Sequence, residues 1–192
     1  MKTSTINRAS KGQAMTEFVF MAFVAFIILF VAIQMAALGR EYMALGQLNY
    51  QVTRWATAPG NNSLKDANGN AVNSPQCADV ANLINGTAIT NAYSQIPAVA
   101  TGYMGKIGYG AGNTVCGSPP AGGIGVAMTC TVPGGTGTTS CAVQRPAGTG
   151  VQVVLTMDTR KAIFLSTSTT SPNFLGIPFP TTLSSTQMLL TQ

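Results

Sequence analysis

Hydrophobic and polar positions change rhythm several times along the 192-residue chain. Residues 18–38 read FVFMAFVAFIILFVAIQMAAL, 21 positions with no charge and one polar side chain, Gln34. A hydrocarbon core about 30 Å thick takes roughly 20 residues of helix. A buried helix of a soluble domain is usually shorter and polar on one side. The run therefore predicts a membrane-spanning helix. Over residues 40–57 the pattern turns amphipathic. Tyr42, Leu45, Leu48, Val52 and Trp55 recur at three- and four-residue steps, while Arg40, Glu41, Gln47, Gln51 and Arg54 fall off that stripe. One helix from about residue 14 to 57 is expected, roughly 65 Å long, stopped by Ala58-Pro59-Gly60. Its outer half would lay the stripe on a globular part.

Beyond residue 60 the pattern breaks up. Asn68-Gly69 marks a turn, and Asn73-Ser74-Pro75 resembles a helix cap with proline in the first turn. A short helix is expected from residue 75 to 83 or 84, ending at Asn85-Gly86. A second is expected over residues 87–95. Residues 107–150 hold 12 of the 21 glycines. Such sequence loses much entropy on folding and buries little, so it reads as loops and turns with one short strand near residues 126–132. Residues 150–159 alternate Val151, Val153, Leu155 and Met157 on one face, a strand pattern. Residues 161–166 suggest another strand, 172–180 an irregular proline-containing stretch, and 182–191 a strand that closes an antiparallel sheet. The fold class expected is α+β: a short basic segment 1–12, a membrane-spanning and projecting helix 13–57, and an exported domain 58–192 that carries the glycine-rich, cysteine-bearing insert 107–150.

Charge gives the helix a direction. Lys2, Arg8 and Lys11 precede the apolar run, whereas Arg40 after it is balanced by Glu41. The excess of positive charge before the run predicts a cytoplasmic N-terminus and an external C-terminal domain. The run is longer than the apolar core of an ordinary secretory signal, and no clean small-x-small site with a turn follows it. The first cysteine, Cys77, comes too late for a lipoprotein signal. Of the net charge of +5, three positives lie in residues 1–12, so the basic balance is largely topogenic. It does not read as a nucleic-acid footprint.

Composition narrows the chemistry. The chain has no histidine and only 8% charged residues, which removes the commonest general base and metal ligand. Beyond the apolar run the acids are Glu41, Asp66, Asp79 and Asp158, without a shared motif spacing. No catalytic residue, cofactor site or metal site is expected, and the protein reads as structural. Cys77, Cys116, Cys130 and Cys141 have spacings of 39, 14 and 11, which match no CxxC motif. On the external side they are disulfide candidates. Three pairings are open, and a bond within Cys116, Cys130 and Cys141 is favoured.

The sequence KGQAMTEF, residues 11–18, stands before the run. Gly12 lets the backbone lie extended in a tight protease cleft. Glu17 puts a carboxylate at the edge of a hydrocarbon span, a costly position unless it is paired. A cut just ahead of the run would create a new α-amine, the natural partner of such a carboxylate on the same or a neighbouring subunit.

A short basic leader, glycine, four residues, glutamate and a long apolar helix resemble the type IV prepilin (class III) signal. That resemblance implies cleavage after Gly12 by a prepilin peptidase, with Glu17 fifth in the mature chain. GQAMTEF, the helix REYMALGQLNYQVTRWA and the tail segments GVQVVLTM, FLGIPFP and LSSTQMLL are most similar to the TadE-like minor pseudopilins of the Tad/Flp pilus system. The main Flp subunits are much shorter and usually carry tyrosine where Phe18 stands. The resemblance implies a structural component of pilus assembly in the bacterial inner membrane. The implied partners are the prepilin peptidase, other pilin or pseudopilin subunits, the inner-membrane assembly platform and lipid. Two other readings fit the same features: a filament-forming type IV pilin or type II secretion pseudopilin, and a single-pass signal-anchored extracytoplasmic binding domain.

Overall fold

The computed structural model describes residues 8–57, 74–86, 113–133, 135, 137–139, 141, 145–161, 173–174 and 177–191. The helix expected over 87–95 and most of the strand expected over 161–166 lie outside them. Two compact units emerge, residues 1–37 and 38–192.

The first unit is helix throughout its described length. Helix α1, Arg8–Ala56, is continuous over 49 residues and begins about six residues before the expected start. Arg8, Ala9, Lys11, Gln13 and Ala14 are good or fair helix formers, and Gly12 alone costs only about 1 kcal/mol. Most large apolar side chains between Met15 and Met35 are exposed, with Ile27 and Val31 half-buried, while Gln34 is buried. This is one helix near the N-terminus long and apolar enough to cross a membrane.

The second unit builds a core from the rest of α1, a short helix and a mixed sheet. Leu45, Leu48, Val52 and Trp55 are buried as the stripe predicts, but Tyr42 is 54% exposed. Seven-residue steps run Leu38, Leu45, Val52, all buried, and Tyr42 falls on the flank of that line. Asn49 and Thr53 are fully buried instead. The Asn49 amide donates to the carbonyls of Val153 (3.2 Å) and Ser185 (2.7 Å), and Thr53 Oγ1 donates to Asn49 Oδ1. A directional polar group inside an apolar seam fixes the register of helix on sheet more sharply than apolar contact does.

Helix α2, Cys77–Asn85, starts two residues later than expected. Gln76 is its N-cap, and Asp79 accepts a 2.8 Å hydrogen bond from the Gln76 N–H. Pro75 lies outside the helix because its carbonyl is held elsewhere, as described below. The C-terminus is where Asn85-Gly86 places it, with Gly86 left-handed at φ 70°. Val80, Ala81, Leu83 and Ile84 are buried.

The sheet runs β1 (Thr114–Cys116), β2 (Ile124–Thr131), β4 (Gly150–Asp158), β7 (Thr182–Leu190), with β3 (Thr138–Thr139) beside β2. Strand β4 pairs antiparallel with β2 and with β7 along its length. Its inward residues Val151, Val153, Leu155 and Met157 are fully buried. The wholly antiparallel sheet expected from the sequence is corrected at one edge, where β1 runs parallel to β2. The 117–123 loop folds back tightly enough for this because glycine stands at the contacts. A Cβ on Gly123 would lie 2.2 Å from the Asn113 carbonyl oxygen, and one on Gly125 would lie 2.3 Å from that of Gly117. Part of the region read as glycine-rich loop is thus close-packed strand. Within the stretch read as irregular, β5 (Asn173–Phe174) pairs with β6 (Ile177–Pro178).

Candidate processing and assembly site, and the clamps of the domain

Gly12, Gln13 and Glu17 share the first turns of α1. Gln13 Nε2 donates to Glu17 Oε1 at 3.3 Å, and Thr16 Oγ1 donates to the Gln13 carbonyl at 3.0 Å. Glu17 is exposed. The i, i+4 spacing puts residues 13 and 17 on one helix face. The amine that a cut before Gln13 would free therefore belongs to the residue already bonded to Glu17. The carboxylate would stand in the first turns of the shortened helix, where the dipole favours negative charge. The Gly12–Gln13 bond lies inside the helix. Glycine is the weakest helix former there apart from proline, so Gly12 marks the point where the turn opens most easily.

All four cysteines are bonded. Cys77–Cys116 ties the start of α2 to β1, with Cα atoms 5.9 Å apart. Cys130–Cys141 ties β2 to the segment after β3, at 5.0 Å. Asn85 reinforces the first link. Its amide donates to the Thr114 carbonyl and accepts from the Thr114 N–H, both at 2.9 Å, as a neighbouring strand would.

Two charged groups missed in the sequence hold the domain together. Arg145 is only 2% exposed. Its Nη1 donates to the Ala56 carbonyl at 2.9 Å and its Nη2 to the Pro75 carbonyl. It thereby satisfies an orphan carbonyl at the end of α1 and holds the approach to α2. Burial pushes its guanidinium down to about 10, against the pull of Asp79, so it stays charged at neutral pH. One signal pointed to it: Arg145 is the only charged residue between Lys106 and Asp158.

Asp158, at the end of β4, is 1% exposed. It accepts from the N–H groups of Gly122 (3.0 Å) and Arg160 (2.9 Å) and from Arg160 Nε (2.9 and 2.8 Å). Burial pushes its carboxyl up, but the hydrogen bonds from Arg160 and Gly122 outweigh that and hold it below the usual carboxylate range. Its unfolded value is about 3.9. A depressed folded value gives stability that is present above the unfolded value and is lost as pH falls through the folded one. Acid titration of the domain is therefore expected to show stability falling below about pH 4. Asp158→Asn should flatten that limb, and an unchanged acid limb in the variant would assign it to other groups.

A cleft of about 650 Å³ runs between α1 and β7, lined by Met43, Gly46, Gln47, Tyr50, Gln51 and Gln187. Its lining holds no charged side chain. Among the described residues no three His, Cys, Asp or Glu side chains gather as a metal site. Comparison with known protein families, with characterised proteins and with solved structures finds no match to this chain.

Proposed function

We propose that this chain is a TadE-like minor pseudopilin, a structural component of a pilus assembly machine. On this reading it is held in the bacterial inner membrane with its N-terminus inside and its domain outside, and a prepilin peptidase matures it between Gly12 and Gln13. The observation that carries the reading is the head of α1. A glycine, a glutamine hydrogen-bonded to a glutamate one turn on, and a long exposed apolar surface follow one another on a single helix. Removing residues 1–12 leaves that surface on the mature chain and gives Glu17 an amine to pair with. An unpaired carboxylate in lipid is costly, so the pair would draw subunits into register. The two disulfides fit a domain that matures in an oxidising compartment.

Co-expression with a prepilin peptidase followed by intact-mass measurement tests the reading. The expected product starts at Gln13. Gly12→Ala should retain the leader, because it both stiffens the helix and crowds the cleft. Glu17→Ala should be cut as the parent is, yet fail to enter the assembly. A chain that keeps Met1 beside an active peptidase would leave an anchored binding domain as the reading. A chain that forms the bulk of purified filaments would make it a filament subunit.

A further inference from the structure

Strand β7 ends its sheet. Among the described residues it pairs with β4 alone. The Thr159 N–H donates to the Thr181 carbonyl at 3.0 Å, and the Thr191 N–H donates to the Thr149 carbonyl at 2.9 Å. Hydrogen-bonded positions alternate in an antiparallel ladder, so the odd-numbered residues of β7 bond to β4. The N–H and C=O groups of Thr182, Ser184, Thr186, Met188 and Leu190 therefore point off the sheet, and all five residues are exposed. Proteins usually guard such an edge with lysine, proline, a bulge or a covering element. The opposite edge is guarded, since the Asn85 amide takes both backbone groups of Thr114 on β1. Strand β7, TLSSTQMLL, has no charge and no proline, and its pairing with β4 runs from Thr182 to Leu190 without a bulge.

The cleft between α1 and β7 opens at this edge, for Gln187 is the only described sheet residue that lines it. Side chains alternate across a strand, so a strand added to β7 would set every second one into the cleft. Its volume of about 650 Å³ equals roughly twenty waters of about 30 Å³ each, room for several side chains. The walls are uncharged, and Gln47, Gln51 and Gln187 offer amides. Gly46 widens the space. Glycine weakens a helix interior, and a Cβ on Gly46 would meet nothing within 4 Å, so the domain's own packing does not call for it.

We propose that β7 is a docking edge for an extended, uncharged segment of another protein, which adds as the next strand and lays alternate side chains in the cleft beside α1. Only an extended backbone matches a row of alternating N–H and C=O groups. A charged side chain in the cleft would lose water against walls that offer no counter-charge. A second copy suits the cleft less well than a bare strand. In a copy's β7, Ser185 is engaged by its own Asn49 and Leu183 packs on its own core, so neither is free to fill the space. Every residue named here lies within 38–192, and the proposal stands whatever becomes of residues 1–12.

Full-length protein in detergent micelles and a fluorescent peptide of alternating threonine and valine, equal to β7 in length, provide the test. Anisotropy reads binding, and amide hydrogen exchange reads where it occurs. The expected result is saturable binding that slows exchange at residues 182, 184, 186, 188 and 190. Gly46→Leu should fold at least as well as the parent, because leucine is the better helix former, yet it should weaken binding by filling the cleft. Thr186→Pro removes an N–H that β4 does not use, a place where an edge strand tolerates proline. It should weaken binding about tenfold, the weight of one lost hydrogen bond. Absence of saturable binding, binding that survives either change, or no slowing of exchange at those five amides overturns the proposal. Equal binding of the peptide with its threonines replaced by glutamate overturns the uncharged class of partner. A parent that refuses the peptide and sediments as a dimer, which Thr186→Pro separates, gives the edge to a second copy and likewise overturns it.

Discussion

Arg145→Ala should destabilise the domain by about 3–5 kcal/mol, the usual cost of breaking a buried charged hydrogen-bond network from one side. The change removes two donors at once. The Ala56 and Pro75 carbonyls would lose the guanidinium that holds them, and each buried acceptor left bare costs about 1–3 kcal/mol. A cavity would open where the long side chain lay. Arg145→Met separates the two costs, because it keeps most of the stem and removes only the donors. It should recover part of the loss. Arg145→Lys should recover less than its charge suggests, since one ammonium cannot reproduce a planar fork that reaches two carbonyls. The readout is built in. Trp55 is the single tryptophan of the chain, is 3% exposed and immediately precedes Ala56. Denaturant unfolding of the full chain in detergent micelles, followed by Trp55 emission, measures all three variants. A loss below about 1 kcal/mol, the median worth of a surface ion pair, would mean that Arg145 merely occupies its place.

What could be read from the sequence follows from how local each signal is. The apolar run, the alternation of Val151, Val153, Leu155 and Met157, and the Asn85-Gly86 stop are each decided within a few residues. The structure places a spanning-length helix, a fully paired strand and a left-handed cap there. The candidate site was legible for the same reason, since residues 12, 13 and 17 lie within two helical turns. The parallel β1–β2 edge was not legible. It depends on Gly123 and Gly125 approaching backbone across a folded loop, and in sequence such glycines look the same as glycines that serve only flexibility. The long-range polar contacts were hidden as well. Asn49 and Ser185 are 136 residues apart, and Arg145 and Ala56 are 89 apart; no periodicity joins them. The early start of α1 reflects a different limit, because propensity alone is a weak guide when a single glycine stands among good helix formers.

Opening Cys77–Cys116 should cost more than opening Cys130–Cys141. Loop-closure entropy grows with the number of residues enclosed, and the bonds span 39 and 11. The chain-entropy relation gives about 4 kcal/mol for the first and about 3 kcal/mol for the second. Geometry widens the gap. Without Cys77–Cys116, the link between α2 and β1 rests on the paired Asn85 and Thr114 hydrogen bonds, at an edge strand three residues long. Without Cys130–Cys141, β2 still keeps its full antiparallel ladder with β4. The Cys77→Ser/Cys116→Ser protein should therefore unfold at lower denaturant than the Cys130→Ser/Cys141→Ser protein, again by Trp55 emission. It should also be digested sooner by protease. Treating the parent with reductant opens both bonds and should cost at least the larger of the two losses. Equal stability of the parent with and without reductant would show that the core carries the domain unaided, and the disulfides would then no longer bear on where the domain matures. A large loss ties folding to an oxidising compartment, which α1 reaches only if it sends residues 38–192 across the membrane.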